Sequence, residues 1–212
     1  MSSKLKWLSI TGLALGIGLA VAGGNKQEPL TPTTSGVETA IFAGGCFWCT
    51  ESDFEKVEGV LTAVSGYTAG PEKNPTYKQV SSGRTGHTEA VKVTFNPDKV
   101  SYKQLLDIYW TTIDPTVENR QFCDTGSQYR TGVYYQGKEQ KAAALGSLKT
   151  LEDSERFQKI YTEVQPFNSF YLAEGYHQDY YKKNPVRYKF YRYNCGRDQR
   201  LKELWGESAA QH

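Results

Sequence analysis

Cys46 and Cys49, in Ala43-Gly44-Gly45-Cys46-Phe47-Trp48-Cys49-Thr50-Glu51, are the residues whose type and spacing most plainly suggest chemistry. A thiolate is a nucleophile. A cysteine in the first turn of a helix meets unpaired backbone N–H groups and the positive end of the helix dipole, and both favour the thiolate. The sequence puts Cys46 in such a place. Residues 38–43 are an apolar run suited to a short buried strand, Gly44 and Gly45 permit a sharp turn, and residues 46–57 have a helix-compatible pattern that stops near Gly59. Three residues apart on a helix, the two cysteines share a face, with Cβ atoms roughly 5–6 Å apart, close enough to bridge with modest adjustment. A redox pair is expected. The alternative is two inert cysteines in an apolar core, because free cysteine commonly behaves as a small hydrophobe.

The elements that must hold this pair interleave along the chain. Residues 60–67 read as a strand, and 68–77 as a loop dictated by Gly70, Pro71 and Pro75, with Tyr77 at its edge. Residues 86–95 (Gly-His-Thr-Glu-Ala-Val-Lys-Val-Thr-Phe) end as an alternating strand with Glu89 at its entrance. Residues 101–112 are predicted helical, capped by Ser101, with Leu105, Ile108 and Tyr109 serving packing only. Residues 114–128 lack periodicity and hold Cys123, Asp124 and Gly126; a long loop of this kind inside a compact domain is usually functional. A strand at 130–135, a charged amphipathic helix at 138–157 and a strand at 160–165 follow. Residues 167–206 are aromatic and basic, their charge read as a solvated face. Within them 176–181 look helix-like, and Cys195-Gly196 leads into a last short helix through Leu201, Leu204 and Trp205. The interleaving predicts an α/β protein (an α+β two-layer sandwich): a mixed sheet covered by helices around a ferredoxin-like core, with a long coil-rich C-terminal segment.

At 212 residues, with 38% hydrophobic and 23% charged, the chain fits one globular domain with extra segments. Its first residues have the layout of a secretory signal: Lys4 and Lys6, an apolar stretch from Trp7 to about Ala20, and Ala20-Val21-Ala22 before Gly23 as a cleavage site. Export, to a periplasm or beyond, is expected. The alternative is an uncleaved membrane anchor, for which the stretch is short and broken by Gly12, Gly16 and Gly18. No cysteine follows the stretch to carry a lipid. Residues 1–22 are thus read as a leader, 23–37 as a flexible linker, 38–206 as the catalytic domain and 207–212 as a disordered tail. Loss of Lys4 and Lys6 takes the formal charge from +2 to about zero, so no nucleic-acid partner is implied. Four cysteines without a second closely spaced pair disfavour a metal site. Met1 is the only methionine, so the remainder of the chain offers no such target to an oxidant.

The motifs around these residues resemble the peptide methionine sulfoxide reductases of the A class. Gly44-Gly45-Cys46-Phe47-Trp48 is similar to that family's nucleophile motif, Asn74-Pro75-Thr76-Tyr77 to its first tyrosine loop, Gly86-His87-Thr88-Glu89-Ala90-Val91 to its glutamate motif, and Asp124-Thr125-Gly126-Ser127-Gln128-Tyr129-Arg130 to its second tyrosine loop. The similarity runs from about Thr39 to Gly206. It implies that Cys46 attacks the sulfoxide sulfur of free or protein-bound methionine S-sulfoxide while Phe47 and Trp48 enclose the methyl group. A sulfoxide oxygen leaves poorly until protonated, so a carboxylic acid that stays neutral is needed, and Glu89 near apolar neighbours suits that task. Tyr77 and Tyr129 would hold the oxygen, and Asp124 would orient groups around them. Methionine is released and Cys46 becomes a sulfenic acid.

Recycling departs from the commoner family pattern. Cys49 stands where many members have glycine, which resembles a recognised subgroup, and Cys195 lies in a tail that members often use for resolution. Either could bridge to Cys46. Cys49 is favoured as first resolver because it needs no loop closure, with Cys195 as a shuttle to the surface; the opposite order remains open. Cys123 is expected to be a bystander, and His87 and His177 are as well suited to local structure as to chemistry. The resemblance implies no cofactor but a thioredoxin-like protein as electron donor, and the chain is expected to be a monomer. Two rivals exist: a thiol-disulfide oxidoreductase working through Cys46 and Cys49, which has no use for Glu89, Tyr77 or Tyr129, and a binding protein for oxidised methionine, which has no use for Cys46.

Overall fold

The computed structural model of the protein describes residues 36–207; the expected leader, nearly all of the linker and most of the tail lie outside the described residues. Among the described residues no helix is long and apolar enough to cross a membrane. The chain order is β1 (Glu38–Gly44), α1 (Phe47–Glu55), β2 (Val60–Thr68), α2 (Tyr77–Ser81), β3 (Thr88–Phe95), α3 (Tyr102–Thr111), two short strands β4 (Arg120–Gln121) and β5 (Asp124–Thr125), β6 (Thr131–Tyr135), α4 (Gly137–Asp153), β7 (Glu163–Pro166), β8 (Phe170–Leu172), α5 (Tyr180–Lys183), α6 (Pro185–Asn194) and α7 (Arg197–Trp205). Six strands form one sheet in the order β7-β6-β1-β3-β2-β8, antiparallel except for the parallel β6–β7 pair. Its centre, β6-β1-β3-β2 with α1 and α3 as crossovers, is the ferredoxin-like β-α-β-β-α-β arrangement expected.

The continuous apolar run of β1 reflects burial of both sheet faces. Ala40 and Phe42 point into the main core with Phe54, Val93, Leu105 and Tyr109. Ile41 and Ala43 point the other way, to Ala90 and Tyr134, where Phe167 and Phe170 cover them. Ser101 caps α3 as its sequence suggests, accepting from the Gln104 amide at 3.2 Å in a capping box. The role of α3 exceeds packing, however. The buried Tyr109 hydroxyl donates to the carbonyl oxygen of Ala43 at 2.8 Å and so braces the strand end just before the glycine pair.

That pair is required by close approach. A Cβ on Gly44 would lie 2.8 Å from Thr50 Oγ1, and one on Gly45, whose φ is +83°, would lie 2.4 Å from Gln121 Cβ. Gln121 is itself locked by accepting from the Asp114 amide and donating to the Asp114 carbonyl.

The C-terminal segment departs from the coil-rich expectation. It is coil around β8, but helical from Tyr180 to Trp205. Pro185 opens α6 at a position where proline's fixed φ fits the first turn, and Tyr188, Leu201 and Leu204 turn inward. The predicted 176–181 helix is a turn ahead of the four-residue α5, and neither α2, β8 nor α6 was anticipated; each is short or becomes stable only through partners distant in sequence.

Arg197 ties this segment to the glycine turn. It is 2% exposed, donates to the carbonyl oxygens of Gly44 (3.2 Å) and Thr112 (2.7 Å), and faces Asp53 on α1 at 3.5 Å. Arg192 approaches the same carboxylate at 2.7 Å. Removing one partner from a buried charge cluster leaves the others uncompensated. Arg197→Ala is therefore expected to lower unfolding free energy by about 3 kcal/mol, read from urea unfolding followed by tryptophan fluorescence; a loss within error would show that Arg192 alone neutralises Asp53.

Candidate active site

Cys46 is the residue that precedes α1, with extended backbone (φ −53°, ψ 117°), and its carbonyl accepts the first helical hydrogen bonds from the amides of Cys49 and Thr50. Its side chain opens into a cavity of about 210 Å³ lined by Cys46, Phe47, Trp48, Tyr77, Glu89, Asp124, Tyr129 and Tyr191. Residues from five separate stretches thus meet at one sulfur.

Glu89 sits on β3 with 2% exposure, and its Oε2 accepts from the Phe47 amide at 3.0 Å. Burial pushes its carboxyl up to about 8; the Phe47 N–H pulls against that shift, and the neighbouring Asp124 and Cys49 add to it. Glu89 is therefore largely protonated at neutral pH. The same hydrogen bond alters the expectation for Cys46. The helix-start amide that would have favoured a thiolate points at Glu89, while burial, Cys49, Glu89 and Asp124 all raise the Cys46 thiol. Cys49 goes the other way, to about 7, because Cys46 hydrogen-bonds to it and Arg197 and Arg192 lie near, against the cost of burial. Of the two, Cys49 is the more readily ionised and Cys46 the one held as a thiol.

Tyr77 begins α2, which Thr76 and Gln79 close as a capping box, and the Tyr77 amide donates to Glu174 at 2.8 Å. Tyr129 ends a single 3₁₀ turn whose flanking carbonyls, Gln128 and Arg130, accept from Thr88 Oγ1 beside Glu89. Burial raises both phenols, Tyr77 to about 12 and Tyr129 further, so both remain hydrogen-bond donors. Phe47 packs among Tyr67, Tyr77 and His177. Trp48 is stacked on Tyr180 with 3.7 Å between centroids and donates from Nε1 to His177 Nδ1 at 3.1 Å. His177 thus positions Trp48. His87 accepts from the Gly70 amide and bonds the Glu72 carbonyl, a loop-holding role.

All six residues expected around Cys46 (Phe47, Trp48, Tyr77, Glu89, Asp124 and Tyr129) line the cavity, and Cys49 lies just behind Cys46. Tyr191 was not foreseen: it lines the cavity from α6 and donates to Asp124. The stretch from Tyr191 to Gly206 lies within the family resemblance, which singles out no phenol there. Nor was Glu51, buried on α1, which accepts from the Ser65 amide and hydroxyl and from the Asp179 amide. Cys195 is the residue the structure does not bring to Cys46. It is bonded to Cys123, 72 residues away, so Cys123 is no bystander. Cys46 and Cys49 are free and buried.

Residues 38–209 match the family model described as peptide methionine sulfoxide reductase. The chain belongs to that family. It is 46% identical over 201 residues to the peptide methionine sulfoxide reductase MsrA/MsrB of Vibrio cholerae, matching 94% of this chain but 53% of that protein, so it spans about half the length of that curated relative. To the MsrA of Halalkalibacterium halodurans it is 47% identical over 172 residues, 81% of this chain and 98% of the relative. Among solved structures, Mxr1 from Saccharomyces cerevisiae in reduced form superposes with a TM-score of 0.67 at 30% identity, covering 76% of this chain and 92% of that one. The class A reductase motifs read from the sequence therefore fall on one pocket in a reductase fold.

For this reductase the raised Glu89 carboxyl has a stability consequence. A carboxyl that ionises near 8 when folded and near ~4.3 when unfolded stabilises the fold below the unfolded value and loses that contribution as pH rises through the folded one. Relative to Glu89→Gln, the wild type is expected to be equally stable near pH 4 and weaker by on the order of 3–5 kcal/mol above pH 8. Parallel urea titrations across that range check it; a constant difference would mean that Glu89 ionises normally.

Proposed function

We infer that this protein is a peptide-methionine (S)-S-oxide reductase that acts on free or protein-bound methionine sulfoxide. The observation that carries this is a neutral carboxylic acid, Glu89, in the same small cavity as the Cys46 thiol and two phenolic donors. Phe47 and Trp48 supply an apolar wall for the methyl group, and Tyr77 and Tyr129 donate to the sulfoxide oxygen. Glu89 passes its proton to that oxygen as Cys46 sulfur bonds to the substrate sulfur, and the Cys46 proton replaces it on Glu89. The hydroxyl oxygen then passes from the substrate sulfur to the Cys46 sulfur as the S–O bond and the S–S bond to Cys46 both break, so that methionine leaves and Cys46 is a sulfenic acid. Thiol-disulfide exchange with protein clients would need none of the acid or phenols.

Cys49 fits the resolving role. As the more readily ionised of the pair it attacks the sulfenic sulfur, giving a Cys46–Cys49 disulfide and water. That order, with Cys49 three residues after Cys46, supports membership of the Gly-Cys-Phe-Trp-Cys subgroup. Reduction of the disulfide then calls for a thioredoxin-like dithiol protein, and no cofactor enters. The leader-like residues 1–22 support export, in which case the donor's electrons must be relayed across a membrane. The protein is proposed to work as a monomer.

Single turnover tests the function directly: protein with Cys46 and Cys49 reduced and the Cys123–Cys195 disulfide intact, given excess methionine sulfoxide and no reductant, is expected to release one methionine per chain and to form a Cys46–Cys49 bridge in peptide maps. Release without any disulfide would remove Cys49 from its role, and no release from a folded, reduced protein would sink the reductase assignment. Glu89→Gln is expected to slow release by about 10²–10⁴-fold. In the wild type the rate should fall as pH rises through about 8; a rate that rises instead would mean that Cys46 ionisation limits the step.

A further inference from the structure

We propose that the outer face of α6 holds the polypeptide flanking an oxidised methionine, and that the segments it takes are locally unfolded, apolar and bordered by acidic residues. This deepens the reductase assignment and rests on it. A protein-bound methionine sulfoxide enters the Cys46 cavity by its side chain alone, so the chain that carries it must lie across the rim. Free methionine sulfoxide has no such chain. Tyr191 makes α6 part of that rim, because it lines the cavity and donates to Asp124. Tyr188, three residues earlier on the same helix, turns inward to Cys49.

The opposite side of α6 faces water with a pattern that packing does not explain. Val186, Phe190 and Tyr193, at i, i+4 and i+7, share one face and are exposed by 82%, 70% and 84%. The other large exposed apolar side chains among the described residues, Val37, Leu61, Leu145, Leu172 and Tyr176, are dispersed over separate elements; aligned ones mark an interaction surface. The stripe continues from the cavity wall. Phe190 immediately precedes Tyr191, and Arg187 lies between them on the helix surface, at i−4 to Tyr191 and i−3 to Phe190. Lys189 borders the other side of the stripe, at i−4 to Tyr193. Arg187 and Lys189 are both exposed, and neither has an ion-pair partner among the described residues.

From Val186 to Tyr193 the helix rises by about 10 Å, the reach of about three residues of extended chain. A short extended segment therefore suffices to run from the cavity onto the stripe. Its apolar side chains cover Val186, Phe190 and Tyr193, and its carboxylates meet the two unpaired cations, Arg187 on the cavity side and Lys189 beyond. A folded protein keeps most of its large apolar side chains inside, so the segment that offers them around an oxidised methionine is one that has come unfolded. A lipid surface or a second copy of the chain would gain nothing from a stripe that abuts the cavity; a substrate segment requires it.

The test measures single-turnover methionine release by the full chain, with Cys46 and Cys49 reduced, the Cys123–Cys195 disulfide intact and no reductant present. One substrate is N-acetyl methionine S-sulfoxide. The other is a heptapeptide with methionine S-sulfoxide at its centre, phenylalanine two residues away on each side and glutamate at both ends. Phe190→Ser/Tyr193→Ser is expected to raise the half-saturating peptide concentration about tenfold, the worth of roughly one buried aromatic side chain, with the N-acetyl substrate unaffected. Arg187→Glu is expected to weaken saturation by this peptide about threefold and to strengthen that of its lysine-ended counterpart by a similar factor. Equal effects of the double variant on both substrates, no effect on the peptide, or no wild-type preference for glutamate over lysine ends would overturn the proposal. So would a double variant that saturates normally with peptide but loses wild-type self-association, sedimentation with phosphatidylglycerol vesicles or recycling by thioredoxin, which would give the stripe to a second copy, a membrane or the reductant. Absence of release by the wild type from both substrates would instead indict the reductase assignment, so the two failures are distinct.

Discussion

Glu89 lies fully buried with the Phe47 amide as its hydrogen-bond donor, and much of the remaining arrangement follows from that contact. It joins β3 to the start of α1 and fixes the distance between acid and nucleophile. It also takes the amide that would otherwise favour a Cys46 thiolate, and keeps a buried carboxyl group beside that sulfur. Of the cysteine pair it is Cys49, on the side of Arg192 and Arg197, that ionises more readily. Acid and thiols are thus sorted by a short gradient, carboxyl groups at the pocket and cationic ones behind it.

That gradient explains why the C-terminal helices are integral to the site. Arg192 and Arg197 both address Asp53, Tyr191 holds Asp124, and Tyr180 backs Trp48. The sheet and α1 alone would supply Cys46 and Glu89 but neither the wall opposite them nor the cations that polarise Cys49.

The sheet was legible because its signals are local. Alternation in residues 88–95, the apolar run of β1, the Gly44-Gly45 break and the Ser101 cap each follow from neighbours within a few positions. Order along the sheet and the pairing of Cys123 with Cys195 are long-range matters that no window contains. The candidate site was legible for a different reason. Cys46, Glu89, Tyr77 and Tyr129 stand in distinctive motifs, and those motifs recur in their structure as turns with specific closures, such as Thr88 holding the Gln128 and Arg130 carbonyls. Tyr191, Arg197 and Glu51 carry no such local mark, since each is ordinary in its stretch and acquires a role from what lies across the fold. The charge state of Cys46 was misjudged because a helix start was considered without the carboxyl that occupies it.

Arg197 and Gly44, hydrogen-bonded in the folded protein, are 153 residues apart in the sequence. A chain made from its amino end therefore exposes Cys46 and Cys49 long before Arg197 exists to brace their turn or Tyr188 and Tyr191 to cover them. During that interval both thiols are open to chance oxidation, and the two partners of the outer disulfide are themselves unequal in age, Cys123 waiting for Cys195. Maturation of this fold is thus an ordering problem in which the right pairing is secured last, by the same helices that seal the pocket.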